Sequence, residues 1–417
     1  MPRRDALLLL TLLVGYGSFY LCRANLEAAG PLLIAHEGFD KTSFGTLSTI
    51  ATFSYAVGKF LMGATGDVLG GRRLFGVAVA GSVVCSLAFG VSNTFILFAL
   101  FAASNRFFQS GGWSAIVHVV SRRFEPGRHG MVMGILATSY ELGNVASLNL
   151  SGFVAQWGWR MLFVVNPLLF ALVGGGVWFA LRESRSQEDG KMGRVDSINK
   201  NFPSSRLPVI PLRELLPELF ARGSFWLAVV MSMLLTFVRI AFLTWTPTYL
   251  YEMSKASGHA EISGSIVKSS LFPAAGVIAA LTVGPLSDKF GPGKRAPIMA
   301  VSLTVVVGLV LLLGHGGIQG TTSAALLIAA IGLFLLGPYS MLAGVVALDV
   351  AGKRGTATAT GIIDGAGYLA GTASGYVLGT IADRAGWSAV FDLITGAAAL
   401  AAIVSGAWAV VVMRSRK

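Results

Sequence analysis

Apolar residues along this 417-residue chain come in long unbroken runs, not in the two-residue alternation of a half-buried strand. Twelve runs are about as long as a bilayer-spanning helix, near residues 7–34, 43–66, 73–92, 94–120, 130–155, 159–181, 224–250, 262–286, 296–314, 322–349, 355–381 and 388–412. The pattern predicts an all-α membrane protein of twelve transmembrane helices. A charged stretch, residues 182–222, interrupts it and divides an N-terminal six-helix bundle (1–181) from a C-terminal one (223–417). That stretch reads as a cytoplasmic tether, polar from Arg182 to Asn201 and then a surface helix around Leu212 to Ala221. The first run is too long for the apolar core of a signal peptide and carries Arg23 and Glu27, so it is read as a retained span.

The two halves repeat one another. An offset of 216 superposes Arg23 on Arg239 and Pro31 on Pro247, and an offset of 228 carries Tyr140, Gly143, Trp159 and Phe163 onto Tyr368, Gly371, Trp387 and Phe391. In the second register Ser139, Ser147 and Ser151 align with Gly367, Gly375 and Gly379. Small residues at this spacing let membrane helices approach closely, so the fifth and eleventh spans are expected to be packing partners. The halves are thus predicted to form two pseudo-symmetric bundles.

Composition agrees with a membrane setting: 54% of residues are hydrophobic, 12% are charged, and the mean hydropathy is +0.70. The net charge of +12 invites a nucleic-acid reading, but its distribution rejects one. With the N-terminus inside, the cytoplasmic segments hold 23 of the 32 Lys and Arg and the external segments five. This asymmetry follows the positive-inside rule and puts both termini in the cytoplasm. Cys22 and Cys85 lie in apolar runs and five scattered histidines show no ligand spacing, so neither a disulfide framework, a metal site nor a cofactor is expected.

Four basic residues remain inside the spans: Arg23, Lys59, Arg106 and Arg239. Arg23 is about eleven residues, or about 16 Å, from the nearer end of its run, beyond the reach of a snorkelling side chain. A guanidinium at that depth marks a polar cavity or a partner. Three acids accompany them, Glu27, Glu141 and Asp364, leaving a surplus of one positive charge that favours an anionic ligand. Arg23 can instead pair with Glu27 one turn along, while no acid is comparably placed near Arg239. Lys59, about 12 Å inside its helix end, has a packing reading as well. Arg106 and Glu141 form an expected pair, either a fixed bridge or a protonatable relay; Asp364 is a third candidate for coupling or charge relay.

Gly63, Asp67, Gly70, Arg72 and Arg73 after the second span are echoed by Gly284, Asp288, Gly291, Lys294 and Arg295 after the eighth. This resembles the loop motif of major facilitator transporters, and the resemblance implies their fold, with substrate held between the halves. Asp67, Arg72, Asp288 and Arg295 would then form a conformational latch. The segments around Arg23 (Tyr20 to Asn25), Lys59 (Tyr55 to Phe60) and Arg239 (Arg239 to Leu250) resemble the organophosphate:phosphate antiporter family, which exchanges glycerol phosphate or hexose phosphates for inorganic phosphate. That resemblance implies that Arg23 and Arg239 clamp phosphate with Lys59 as an accessory cation. A guanidinium fork suits this task because it binds phosphate oxygens in pairs. Tyr20, Tyr55, Tyr140, Trp245 and Tyr368 are candidate substrate contacts.

The sequence departs from that family where Ala24 follows the first arginine and where Glu141 takes the place of a histidine in the fifth span. The leading expectation is therefore an alternating-access transporter of a small organic anion, with inorganic phosphate as counter-substrate. It is expected to act as a monomer in the lipid bilayer of a bacterial inner (plasma) membrane and to bind no nucleic acid. A proton-coupled organic anion symporter, resembling the anion:cation symporter family, is the alternative, supported by Arg106 and Glu141. A non-transporting sugar-phosphate sensor is a third reading. No nucleophile, base and oxyanion set appears on any loop, so an enzyme is not expected.

Overall fold

The computed structural model describes residues 3–124, 129–195, 212–290, 295–342 and 346–414. Its elements are helices throughout: α1 (Arg3–Ser18), α2 (Ala24–His36), α3 (Lys41–Leu69), α4 (Gly71–Gly90), α5 (Phe95–Arg123), α6 (His129–Val154), α7 (Trp159–Val195), α8 (Leu212–Phe220), α9 (Gly223–Ala256), α10 (Ile262–Ser269), α11 (Leu271–Phe290), α12 (Arg295–His315), α13 (Thr321–Met341) and α14 (Ala347–Arg414). No strand occurs among the described residues.

Among the described residues eight stretches are long and apolar enough to cross a bilayer, the longest being Thr358–Val410, which covers two of the expected spans. Three expected spans fall outside that set and are helices α3, α5 and α6, of 29, 29 and 26 residues. They are long enough to cross, since 29 residues rise about 43 Å against a hydrocarbon core of about 30 Å. Their hydropathy is lowered by polar residues directed inward, among them Asn105, Arg106, Gln109, Glu141, Asn144 and Ser147, all buried. Leu7, Val84, Ile96, Leu172 and Ile403 show the opposite behaviour, large apolar side chains left exposed as a lipid-facing surface requires.

Two elements depart from the expected layout. Helix α7 continues to Val195, well into the stretch read as tether, and α8 supplies the surface helix beyond it. Helix α14 has 68 residues, but Gly386 has φ +78°, a conformation only glycine adopts readily, and the chain turns there. Its first arm packs on α3 and α9; its second packs on α12, where Ser405 Oγ donates to the Ala296 carbonyl at 2.9 Å.

The first span is also not one helix. Phe19–Cys22 forms a 3-10 turn between α1 and α2, and Arg23 stands at the junction. Such a break leaves backbone carbonyls without helical partners, which hydrocarbon cannot satisfy. Helix α5 supplies the donors: Gln109 Nε2 donates to the Cys22 carbonyl at 2.6 Å and Arg106 Nη2 to the Arg23 carbonyl at 3.2 Å. No proline causes the break; polar side chains of a neighbouring helix sustain it.

The two halves close against one another at the Lys41 end of α3. A Cβ on Gly375 would lie 2.4 Å from the Gly45 carbonyl oxygen, and one on Gly45 would lie 2.3 Å from the Gly375 oxygen, so only glycine permits this backbone approach. Thr49 Oγ1 donates to the Thr372 carbonyl at 2.7 Å, and Asp383 accepts from Thr42 N and Thr42 Oγ1, both at 2.7 Å. On the other side of the interface Asn149 on α6 donates to Ser270 Oγ at 3.0 Å. The small-residue stripes of the fifth and eleventh spans therefore pack on different neighbours: that of α6 on α1, where a Cβ on Gly143 would lie 2.4 Å from the Gly17 oxygen, and on α7, where Asn166 donates to Ser151 Oγ at 2.7 Å, and that of α14 on α3 and α9.

Candidate substrate-binding cleft

A narrow cleft lies between the halves. Tyr20, Arg23 and Glu27 line it from the broken first span, Thr52 and Tyr55 from α3, Arg106 from α5, Asn144 from α6, Arg239 and Thr244 from α9, and Tyr368 from α14. The sequence places these residues far apart, and the fold brings them to one wall-to-wall site.

Arg23 is 8% exposed and is held by neutral groups. Its Nε donates to Gln109 Oε1 at 2.9 Å and its Nη1 to the Tyr20 hydroxyl at 3.2 Å. Its guanidinium carbon lies 4.7 Å from the Tyr20 ring centre and 4.3 Å from that of Tyr55, where the negative faces of the rings favour a cation. Nη2 has no partner. Gln109 connects the site to the helix break, because the amide that accepts from Arg23 donates to the Cys22 carbonyl and to Asn105 Oδ1 at 2.6 Å each.

Arg239, on the uninterrupted helix α9, is 4% exposed and is held by a charge. Its Nη2 donates to Glu141 Oε1 at 3.2 Å, with Tyr140 and Tyr339 rings 5.3 Å and 4.9 Å from its guanidinium carbon. Its Nε has no partner, and neither has Glu141 Oε2. This corrects the expectation that no acid approaches Arg239. It also corrects the pairing of Arg106 with Glu141: Arg106 Nη2 instead donates to Glu27 Oε1 at 2.5 Å. Glu27 accordingly serves Arg106, not Arg23. The remaining pair joins the halves, Lys59 of α3 bonded to Asp364 of α14, with the ammonium 4.4 Å from the Tyr368 ring centre.

Each of the three acids thus neutralises one cation. Among the described residues Arg23 is the cleft cation with no carboxylate partner, and the surplus positive charge expected from the sequence is localised on it. Tyr140 reaches the cleft only through Arg239. Trp245 does not reach it: its Nε1 donates to the Ser374 carbonyl at 3.2 Å and its ring packs on Phe44 and Trp387. Gln109 was not singled out as a site residue, although the polar run Asn105, Arg106, Gln109, Ser110 within an apolar segment marks the inward face of α5.

Of the expected latch, Arg72 Nε donates to the Trp178 carbonyl at 3.2 Å with its guanidinium over the Trp178 ring, and Arg295 pairs with Asp349. The side chains of Asp67 and Asp288 lie outside the described residues.

The chain belongs to the major facilitator superfamily, whose family profile matches residues 12–375. Within that class of multi-pass transporters, which are not enzymes, it is similar to the organophosphate:phosphate antiporters. A probable hexose phosphate transport protein of Chlamydia pneumoniae is 25% identical over 420 residues, 94% of this chain and 89% of the relative. The glycerol-3-phosphate transporter of Bacillus subtilis is 26% identical, over 94% and 89%. Among solved structures, a bacterial homolog of the human lysosomal transporter Spinster, in an inward-facing, unoccupied conformation, matches with a TM-score of 0.74, covering 99% of this chain and 96% of that one. Its 15% identity carries the fold alone.

Proposed function

We propose that this chain moves a phosphate ester or a related small organic anion across the membrane by alternating access, in exchange for inorganic phosphate. One observation carries the reading. Two guanidinium groups, one from each half, line the same buried cleft, and each keeps an N–H donor without a partner, Arg23 Nη2 and Arg239 Nε. Unpaired buried donors are costly, and an anion with several oxygens satisfies both at once. Bridging the two arginines ties one half to the other, so binding couples directly to the relative position of the bundles. Tyr20, Tyr55 and Tyr368 form the walls against which the organic part rests, and Lys59 supports the anion once Asp364 releases it. Residues 1–181 and 223–417 are the moving bodies, the tether between them and both termini lie in the cytoplasm, and the closed Lys41 end is external.

The test is release of labelled phosphate from proteoliposomes by external glycerol 3-phosphate, glucose 6-phosphate or phosphate itself. Exchange is expected in the parent protein and lost in both Arg23→Lys and Arg239→Lys, because an ammonium keeps the charge but not the fork. Full exchange in both variants removes the arginine clamp. Uptake driven by a pH gradient with no phosphate on the far side removes the exchange step.

A further inference from the structure

Glu141 occupies a position that a ligand needs. Its Oε1 accepts from Arg239 Nη2 at 3.2 Å, on one of the two guanidinium groups facing the cleft, while its Oε2 is buried with no partner. The side chain is 2% exposed. It is also closely enclosed: a Cβ on Gly276 of α11 would come within 3.3 Å of its carboxyl carbon, so the packing leaves it little freedom to swing to solvent. The groups around it are few. Helix α9 presents Arg239; the 3-10 turn presents Tyr20; its own helix carries Tyr140 and Asn144; α11 brings Gly276 against it, and α13 places Tyr339 on Arg239. Arg239 is the only cation paired with it among the described residues.

We infer that Glu141 is a built-in counter-anion which the incoming ligand displaces from Arg239, and that its displacement brings one proton into the site with each anion. The inference rests on the proposed anion-binding reading of the cleft. The physical reason is the cost of an uncompensated buried charge. While Arg239 is bonded to it, the carboxylate is stable as an anion; once phosphate oxygens take the guanidinium, an ionised group remains in an enclosed site with no counter-charge. Taking a proton from water converts it to a neutral carboxylic acid that can donate one hydrogen bond. For a singly charged anion the site's charge is unchanged, since one negative charge enters with the ligand and one is cancelled by the proton; the second charge of a dianion is met by Arg23. Arg23 needs no such step, because no carboxylate holds it. The same mechanism serves either direction of exchange, since both the organic anion and inorganic phosphate would displace Glu141.

The experiment measures binding of inorganic phosphate to the purified full-length chain in weakly buffered detergent solution, with a pH indicator counting protons. Phosphate's own titration is common to every variant, so the difference between the parent protein and Glu141→Gln isolates the glutamate. The parent is expected to take up about one more proton per phosphate bound, and its affinity to weaken roughly tenfold more per pH unit on the alkaline side, a dependence that Glu141→Gln abolishes. Glu141→Asp, which keeps a titratable carboxyl, is expected to restore the uptake, and the infrared measurement on the parent decides if the glutamine variant fails to fold. An infrared difference spectrum of the parent should also show a protonated-carboxyl band appearing with phosphate. Equal proton counts in parent and Glu141→Gln, or no new carboxyl band, overturn the inference alone. No phosphate binding to the parent overturns the anion-exchange reading and this inference together.

Discussion

Arg23 and Arg239 occupy matching positions in the two halves, yet the protein holds them by opposite means. In the first half the span breaks at the arginine, and the guanidinium is fixed by an amide, a hydroxyl and two ring faces, none of which cancels its charge. In the second half the helix runs through, and a buried carboxylate neutralises the arginine. The difference teaches that repetition of sequence conserves position and depth but not electrostatic state. On the proposed reading, one half offers a bare cation to attract an anion and the other a cation that exchanges one anion for another.

The sharpest way to break this comparison is stability. Arg239→Met removes the counter-charge of Glu141 in an enclosed site, a change that costs about 3–5 kcal/mol in comparable buried pairs. Arg23→Met strands only the neutral acceptors Gln109 Oε1 and the Tyr20 hydroxyl, about 1–3 kcal/mol. Thermal unfolding of the purified protein should therefore rank Arg239→Met well below Arg23→Met, with most of the loss recovered in the double variant Arg239→Met/Glu141→Gln. Equal destabilisation by the two single changes contradicts the asymmetry.

A second change makes the first half resemble the second. Gln109→Glu puts a carboxylate on Arg23 while keeping the side-chain length, and it removes the amide donor from the Cys22 carbonyl. The surplus cation is then neutralised, and phosphate affinity is expected to fall roughly tenfold or more, about 1.4 kcal/mol. Titration of phosphate binding by calorimetry measures it. Unchanged affinity means that the ligand does not depend on the uncompensated charge of Arg23.

These contrasts also mark where sequence reasoning stopped. The helical spans, their repeat and the depth of both arginines follow from run length and from the 1.5 Å rise of a helix, quantities that a linear chain carries. Which acid faces which cation does not, because it depends on how each helix is rotated and tilted. The expected Arg106–Glu141 pair failed for that reason: Arg106 meets Glu27 across the helix break, and Glu141 turns to the other half. The break itself had no local cause to detect, since residues 19–23 contain neither proline nor glycine and depend on donors from α5. Trp245 was misplaced by the same blindness to rotation, belonging to the closed end and not to the cleft.

The closed end allows a smaller test of how the halves depend on each other. Asp383, from the second half, accepts from Thr42 N and Oγ1 at the start of α3, where orphan amides favour a carboxylate. Asp383→Asn should weaken that grip by about 1 kcal/mol, roughly a fivefold shift toward the open arrangement. Labelling of Thr46→Cys by a membrane-impermeant thiol reagent should accelerate accordingly. An unchanged labelling rate assigns closure to the other contacts at this end, the Gly45–Gly375 approach and the Thr49–Thr372 hydrogen bond.

The same helix start carries a carboxylate from its own half. Asp40 Oδ1 accepts from Ser43 N at 2.7 Å, and hydrogen bonds from the Ser43 hydroxyl and backbone hold its pKa below the ordinary aspartate value of 3.8. A depressed value means that the ionised cap stabilises the folded helix end fully above the ordinary range, and that the contribution disappears as pH falls through the lowered value. Hydrogen exchange at the amides of residues 43–45 should be slow at neutral pH and accelerate, beyond the intrinsic pH dependence of exchange, only at acid pH. Asp40→Asn should lack that additional step. The site is largely exposed, so the effect is local fraying and not loss of fold. It separates the two caps: if acid frays α3 while the Thr46→Cys labelling rate stays constant, the helix end is set by Asp40 and the contact between halves by Asp383.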